Sequence, residues 1–165
     1  MLENYKNILA DNLFIYIDIG SRGGLSRDWE KVKDLIQVVF FEPDEEEAKR
    51  LKINSSSNEL LIPKAVWSHS GKINFHSMRN PSYSSVLKPN KEELEGTYYY
   101  CRNFYHIEKT QEIKVEPLEL VLKEYGINNF DFLKIDIQGA ELDVFKGSKK
   151  TLEKILMIVS EVEFV

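Results

Sequence analysis

Three segments of the sequence carry residue types that suit the binding of a nucleoside. Residues 18–24 read Asp-Ile-Gly-Ser-Arg-Gly-Gly, and glycines at such a turn let backbone N–H groups approach a ligand. Glu42 and Pro43 follow about 20 positions later, where a carboxylate can accept both hydrogen bonds of a ribose diol. Residues 134–141 read Lys-Ile-Asp-Ile-Gln-Gly-Ala-Glu. Because each segment follows an apolar run, we expect all three to meet at one edge of a sheet.

The glycine spacing disfavours a dinucleotide. Gly20, Gly23 and Gly24 do not match Gly-x-Gly-x-x-Gly, because the second glycine would fall at Arg22. This argues against NAD and a nicotinamide-dependent oxidoreductase, and leaves another ribose-bearing ligand. S-adenosylmethionine (SAM) fits, with its ribose at Glu42 and its amino-acid end at the glycine segment. Two simpler interpretations stay open: the glycines form only a tight turn, and Glu42 is a solvated carboxylate at a helix start.

The elements that must position these segments alternate between strands and helices. Short apolar runs predict strands, and apolar residues at steps of three and four predict helices. Such alternation indicates an α/β fold with a mostly parallel sheet and helices on both faces. We predict parallel strands at 13–19, 37–42, 60–66, 130–137 and 155–165, an antiparallel strand at 72–76, and helices at 25–36, from 43–47 onward, and at 117–126, 140–145 and 148–152.

One segment fits this alternation poorly. Residues 77–110 are polar and aromatic, and we interpret them as an insertion or lid over the carboxyl edge of the sheet, within a single domain of residues 1–165. Elsewhere the helix starts carry capping signals. Ser26 is the expected N-cap of the first helix, and Asp44 followed by Glu47 resembles a capping box.

Composition limits the class of protein. The chain has 165 residues, 42% hydrophobic, with a formal net charge of -5, which is typical of a globular domain and disfavours nucleic-acid binding. The single cysteine, Cys101, excludes an internal disulfide and a cysteine zinc cluster. No apolar run approaches the ~20 residues of a membrane span, and the first residues lack the pattern of a signal peptide. We therefore predict a cytoplasmic protein without a membrane span.

A family resemblance rests on the same segments. Residues 17–20 (Ile-Asp-Ile-Gly), 41–43 (Phe-Glu-Pro) and 132–147, with Lys-x-Asp-x-x-Gly-Ala-Glu and a trailing Lys-Gly, resemble successive signatures of the FkbM-type SAM-dependent methyltransferases. The likeness covers roughly 14–163 and is weak over 77–111. Further similar positions are Ala65-Val66, Ser84-Ser85-Val86 and Leu118-Glu119.

The resemblance implies a class I methyltransferase (Rossmann-like) fold, SAM as the cofactor, and methyl transfer to a hydroxyl of a sugar or secondary metabolite. Two departures stand out. The family's first loop usually reads Gly-Ala-Asn-x-Gly, whereas Ser21, Arg22 and Gly23 follow Gly20 here. Gln138 also stands where the family usually has Glu. The SAM-binding residues that we predict are Asp18, Gly20, Ser21, Arg22, Gly24, Glu42, Pro43, Ala65, Val66 and Asp136.

Methyl transfer to an alcohol needs a group that accepts a proton. Asp136 is our candidate for that base or for orienting the acceptor, Lys134 would keep it ionised, and Glu141 is a second candidate. Because the side chains of Lys134 and Asp136 lie on one face of a strand, a purely structural ion pair is the alternative. The histidines His69, His76 and His106 lack ligand spacing, and we predict no metal.

The aromatic and terminal segments leave further alternatives. Tyr98 to Tyr100, Phe104 and Tyr105 either stack on a sugar ring or pack as part of a lid. Class I sheets carry two more strands after the fifth, so a sheet that lacks them would expose residues 155–165 as a hydrophobic edge. The competing hypothesis is therefore an incomplete or non-catalytic SAM-binding domain that docks on a partner, or on a second copy, through its last strand.

Overall fold

The structure is a computed structural model that describes residues 13–53, 56–96 and 99–162. Eight strands and seven α-helices are assigned in these ranges. The strands are β1 (Phe14–Ile19), β2 (Ile36–Phe41), β3 (Glu59–Ile62), β4 (Ala65–Val66), β5 (Gly71–Met78), β6 (Ile107–Glu116), β7 (Phe132–Ile135) and β8 (Met157–Ser160). The helices are α1 (Arg27–Glu30), α2 (Glu45–Ile53), α3 (Lys91–Glu95), α4 (Tyr99–Phe104), α5 (Leu118–Glu124), α6 (Glu141–Gly147) and α7 (Lys149–Leu152), with short 3-10 helices at Lys33–Leu35 and Pro81–Tyr83.

The main sheet has the strand order β3-β2-β1-β7-β8, and all neighbouring strands are parallel. Both faces of its centre are buried: Ile17 and Val39 belong to one apolar cluster, and Tyr16 and Val38 to the other. This double burial explains why β1 and β2 are continuous apolar runs. The predicted α/β fold with a mostly parallel sheet is confirmed. Its strand order reverses at β1, between β2 and β7, which is where ligands bind in open sheets.

A second sheet, of order β4-β6-β5, was not predicted as such. The single strand expected at 60–66 is wrong, because the chain leaves β3 at Pro63, which has no N–H for a sheet ladder, and re-enters as β4 in the other sheet. The antiparallel strand expected at 72–76 is confirmed as part of β5, which pairs with β6. The ten-residue β6 was missed, since seven of its ten residues are polar and five are exposed.

The first predicted helix is also wrong in length. Residues 25–36 form only α1 and a 3-10 turn, and Ile36 already pairs with Phe14 as the first residue of β2. Ser26 occupies the N-cap position but makes no capping hydrogen bond. Leu25 and Trp29 still pack against the apolar cluster that contains Tyr16 and Val38. Both side chains therefore contact the core without a continuous helix.

The later helices begin and end closer to the predicted residues. Pro117 precedes α5, and Gly126 ends it with φ +71°, as a C-terminal glycine does. Tyr125, the residue after α5, is 37% exposed.

The far edge of the main sheet is apolar and open. Met157, Ile158 and Val159 of β8 are each more than 40% exposed; residues 163–165 of the predicted strand lie outside the described residues. Across the described ranges, no helix has the length and apolar character needed to cross a membrane.

Candidate active site

A cavity of about 380 Å³ lies at the carboxyl ends of β1, β2 and β7. The second sheet and the turn at Pro81–Tyr83 form its opposite wall. The cavity is therefore enclosed between the switch point of the main sheet and the segment that follows β3. The residues that line it are Ile19, Gly20, Arg22, Phe41, Glu42, Pro43, Lys64, Ala65, Val66, Trp67, Ile73, Phe75, Pro81, Ser82, Tyr83, Ser84, Ser85, Val86, Tyr105, Ile113, Asp136, Ile137, Gln138, Ala140 and Glu161.

Gly20 joins the three strand ends at the floor of the cavity. Its N–H donates to the carbonyl oxygen of Phe41 over 3.1 Å, and its φ is +81°, a conformation that glycine adopts without penalty. A Cβ atom at this position would lie 1.9 Å from the backbone oxygen of Asp136. The close approach of β1 to the segment after β7 therefore requires glycine.

Lys134 connects the same strand ends through its ammonium group. Nζ forms an ion pair with Asp18 Oδ1 at 3.1 Å, lies 3.6 Å from Asp136 Oδ2, and donates to the Gly20 carbonyl oxygen over 3.1 Å. Burial raises the pKa of Asp18 to about 6, although the Lys134 charge opposes this. Lys134 thus holds Asp18 and Asp136 beside one cation beneath the cavity.

Glu42 places a buried carboxylate in the cavity wall. The residue is 4% exposed, and its Oε1 accepts a hydrogen bond from the Asp44 N–H over 2.9 Å. Burial raises the pKa of Glu42 to about 7, against the opposing effects of that hydrogen bond and of Arg22. A carboxyl group with this pKa binds or releases its proton near neutral pH, so a ligand that donates hydrogen bonds to it would favour the ionised form.

The glycine segment is anchored to α2 by ionic contacts. Arg22 Nη2 forms an ion pair with Asp44 Oδ2 at 2.8 Å, and the Gly23 N–H donates to Glu47 Oε1 over 2.8 Å. A hydrogen bond from Arg50 lowers the pKa of Glu47 to about 2. Asp44 caps α2 as predicted, since its Oδ1 accepts hydrogen bonds from the N–H groups of Glu46 and Glu47. In a capping box Glu47 would also accept a hydrogen bond from the Asp44 N–H, but Glu42 Oε1 accepts it instead.

A pair of carboxylates lies at the end of β7 and β8. The Gln138 side-chain amide donates to Asp136 Oδ1 over 2.9 Å and to Glu161 Oε2 over 2.8 Å. Burial raises the pKa of Asp136, but hydrogen bonding with Glu161, the Lys134 charge and Gln138 outweigh it and lower the pKa overall. Ser85 Oγ donates to the Gln138 carbonyl oxygen over 2.8 Å, which joins this cluster to the opposite wall.

The structure brings most of the predicted site residues together. Five predicted residues do not line the cavity: Asp18, Ser21, Gly24, Lys134 and Glu141. All but Gly24 contact lining residues or the turns that carry them. Those of the predicted set that line the cavity are Gly20, Arg22, Glu42, Pro43, Ala65, Val66 and Asp136.

Two of these supporting residues have clear structural contacts. The buried Ser21 hydroxyl donates to the Asp18 carbonyl oxygen over 2.6 Å and accepts from the Phe41 N–H. Glu141 is also buried, and its Oε1 accepts from the N–H of Ile137 over 2.8 Å. Both residues therefore stabilise the turns from which the cavity-lining groups extend.

Sequence reasoning missed the wall opposite the strand ends. Ile73, Phe75 and Ile113 come from the second sheet, and only the alternation of residues 72–76 signalled part of it. Glu161 was missed because it lies after β8, far along the chain from Asp136, and no local motif marks it.

Aromatic side chains of the segment 77–110 pack beside the cavity. The rings of Tyr83 and Tyr105 are 4.6 Å apart, and Tyr83 stacks with Phe104 at 6.2 Å. Of the predicted aromatic cluster, Tyr98 and the side chains of residues 99–100 lie outside the described residues. In the ranges that the structure describes, no three His, Cys, Asp or Glu side chains are grouped to hold a metal ion.

Comparison with known proteins identifies the family of the chain. The curated 2-O-methyltransferase NoeI of Sinorhizobium fredii (strain NBRC 101917 / NGR234) is 27% identical over 158 residues, an alignment that covers 89% of this chain and 62% of the relative. The chain thus spans less than two thirds of the length of that relative. No solved structure gives a significant match. The family model described as the methyltransferase FkbM domain matches residues 18–165, and the chain therefore belongs to the FkbM methyltransferase domain family.

Proposed function

We propose that this chain binds SAM in the cavity and transfers its methyl group to a hydroxyl oxygen of a sugar or another small metabolite. The observation that carries the proposal is the convergence of Gly20, Glu42 and Asp136 on one cavity at the switch point of the sheet. The family membership supports the same reaction class, as does the similarity to NoeI, which is named as a 2-O-methyltransferase.

The groups around the cavity fit this cofactor. The buried Glu42 carboxylate would accept hydrogen bonds from the ribose hydroxyls, since only one of its oxygens receives a backbone N–H. The Gly20 segment would hold the amino-acid end, with Arg22 nearby. Pro43 and Ile137 supply apolar surface in the same cavity for the adenine ring.

In this proposal, residues of the chain position the acceptor hydroxyl and accept its proton. Bound SAM supplies a methyl group on a sulfonium, which is already a good leaving group. Asp136 holds the acceptor hydroxyl and accepts its proton, and Lys134 at 3.6 Å favours the ionised form of Asp136. Positioning can contribute about 7–11 kcal/mol to such a reaction, and a well-placed base about 10²–10⁴-fold. Glu141, which contacts the backbone behind the cavity, acts as a positioning residue in this proposal.

The aromatic wall supports a carbohydrate acceptor. Tyr83 and Tyr105 line the same cavity as Asp136, and a cavity with aromatic rings and a polar base suits a sugar, which has both apolar C–H faces and hydroxyl groups. In this proposal residues 77–110 act as a lid that covers the acceptor and excludes water.

The direct test combines binding with turnover. Calorimetry with S-adenosylhomocysteine (SAH) should show binding that Glu42→Ala weakens at least about tenfold, as expected for loss of a charge-assisted hydrogen bond. The exposed Glu45→Ala in α2 is the matched control. Transfer of a labelled methyl group to hydroxylated sugars should then identify the acceptor. Absence of SAH binding by the folded protein would contradict the proposal.

A second candidate function rests on the exposed residues of β8. Met157 and Ile158 leave an apolar strand at the edge of the sheet, where a second copy of the chain could add a strand. In that case the chain is a SAM-binding domain that docks and does not itself transfer methyl groups. SAH binding without methyl transfer, together with a dimer that Ile158→Lys disrupts, would favour this candidate.

A further inference from the structure

The carboxylates of Asp136 and Glu161 are held together by the amide of Gln138. Its Nε2 donates to Asp136 Oδ1 over 2.9 Å and to Glu161 Oε2 over 2.8 Å, so one amide group uses both of its N–H donors on two carboxylates. Asp136, Gln138 and Glu161 all line the cavity. The two carboxylates therefore face the same ligand space as one unit.

The backbone builds this arrangement. Gln138 has φ +59°, a conformation that is uncommon for a residue with a side chain and needs support from its surroundings. That support includes the hydrogen bond from Ser85 Oγ to the Gln138 carbonyl oxygen. The parallel pairing of Ile135 with Ser160 then places the next residue of each strand, Asp136 and Glu161, side by side.

The charged groups that face Asp136 come from three strands. Lys134 on β7 lies 3.6 Å away, Asp18 on β1 forms an ion pair with the same ammonium group, and Glu161 after β8 is joined to Asp136 through the Gln138 amide. A single aspartate beside an ammonium group is a weak base, because the cation stabilises its ionised form. A second carboxylate next to it makes the pair bind its first proton more tightly than either group would alone and its second proton less tightly, which agrees with the lowered pKa of Asp136.

We propose that Asp136 and Glu161 share one proton and act together as the base for methyl transfer, with Gln138 fixing their separation. This inference rests on the proposed function. In the step, the acceptor O–H bond breaks while the acceptor oxygen forms a bond to the methyl carbon. The electrons of the carbon–sulfur bond stay on sulfur as a neutral thioether, and the proton passes to Asp136 and is shared with Glu161. Glu161 is exposed and releases the proton to water.

The first test needs neither cofactor nor acceptor. Carbon-13 NMR of labelled Asp and Glu carboxyl groups should show Asp136 titrating in two steps in the free protein, since coupled groups share macroscopic pKa values. Glu161→Gln should remove the step that Asp136 shares with Glu161, Glu161→Asp should retain it, and the exposed Glu153→Gln should change nothing. An Asp136 titration profile that is the same in all variants would overturn the proposal.

The second test follows the reaction. Glu161→Gln should lower kcat and move its acidic limb to lower pH by about one unit or more, the coupling expected for interacting sites, while SAH affinity stays the same. An unchanged pH profile would overturn the shared base but not the proposed function. Failure of the wild-type protein to bind SAH would instead overturn the proposed function, and the NMR titration would still decide whether the pair shares a proton.

Discussion

Replacement of Glu42 by glutamine should stabilise the free protein at neutral pH, even though it removes a residue of the proposed cofactor site. Burial raises the pKa of Glu42 from 4.5 to about 7, so between these values the folded state holds a proton that the unfolded chain releases. The free energy of unfolding therefore falls as the pH rises from about 4.5 to about 7. This rise of the pKa of Glu42 from 4.5 to about 7 corresponds, at about 1.4 kcal/mol per pH unit, to about 3.5 kcal/mol.

Urea unfolding of the ligand-free protein at several pH values measures this effect. The wild-type free energy of unfolding should decline between about pH 5 and about pH 8, and the raised pKa of Asp18 adds to the decline in the same direction. Glu42→Gln should weaken the dependence of the free energy of unfolding on pH. At the upper end of the pH range this variant should be more stable than the wild type. The exposed Glu45→Gln, also near the start of α2, should follow the wild type. If Glu42→Gln and the wild type show parallel curves, the buried, proton-holding carboxyl group is refuted.

Four other outcomes follow from the same structure. Wild-type affinity for SAH should fall about tenfold from about pH 8 to about pH 6, as Glu42 gains its proton, and calorimetry should show no such loss in Glu42→Gln. Gly20→Ala should lower the free energy of unfolding by at least about 2 kcal/mol more than Gly23→Ala. Both glycines have positive φ, but only a Cβ atom at Gly20 would clash with backbone, 1.9 Å from the Asp136 oxygen. Equal losses of stability in chemical unfolding would contradict this. Asp136→Asn should reduce kcat by about 10²–10⁴-fold with SAH affinity nearly unchanged, and a parallel loss of affinity would indicate a binding role instead. Ile158→Lys should leave SAH binding intact and abolish any dimer seen by analytical ultracentrifugation; a dimer that persists would exclude β8 as its interface.

The positions of the strand ends could be predicted because the apolar pattern of each strand and the topology of a parallel sheet lead to the same arrangement. An apolar run buried on both faces must lie in the centre of a parallel sheet, and its carboxyl end must face the ligand edge. This reasoning places Gly20, Glu42 and Asp136 at one edge of the sheet from the sequence alone, and all three line the cavity. The period of two also placed Lys134 beside Asp136, which the structure confirms at 3.6 Å.

The opposite wall could not be predicted, because its signals are distributed along the chain. β6 carries charged residues on a solvent-facing side, so its pattern is typical of a loop as much as of a strand. Pro63 separates β3 from β4, and nothing local states that the two belong to different sheets. Glu161 becomes a neighbour of Asp136 only through the register of β8 on β7, a long-range pairing that single-residue patterns do not encode.

The central claim is that the cavity at the ends of β1, β2 and β7 binds SAM, and a crystal structure of the protein with SAH tests it most directly. We expect the ribose hydroxyls on the Glu42 carboxylate, the amino-acid end beside Gly20, and the sulfur facing the Asp136 and Glu161 pair. Electron density for SAH elsewhere on the protein, with Glu42 making no contact to it, would contradict this account.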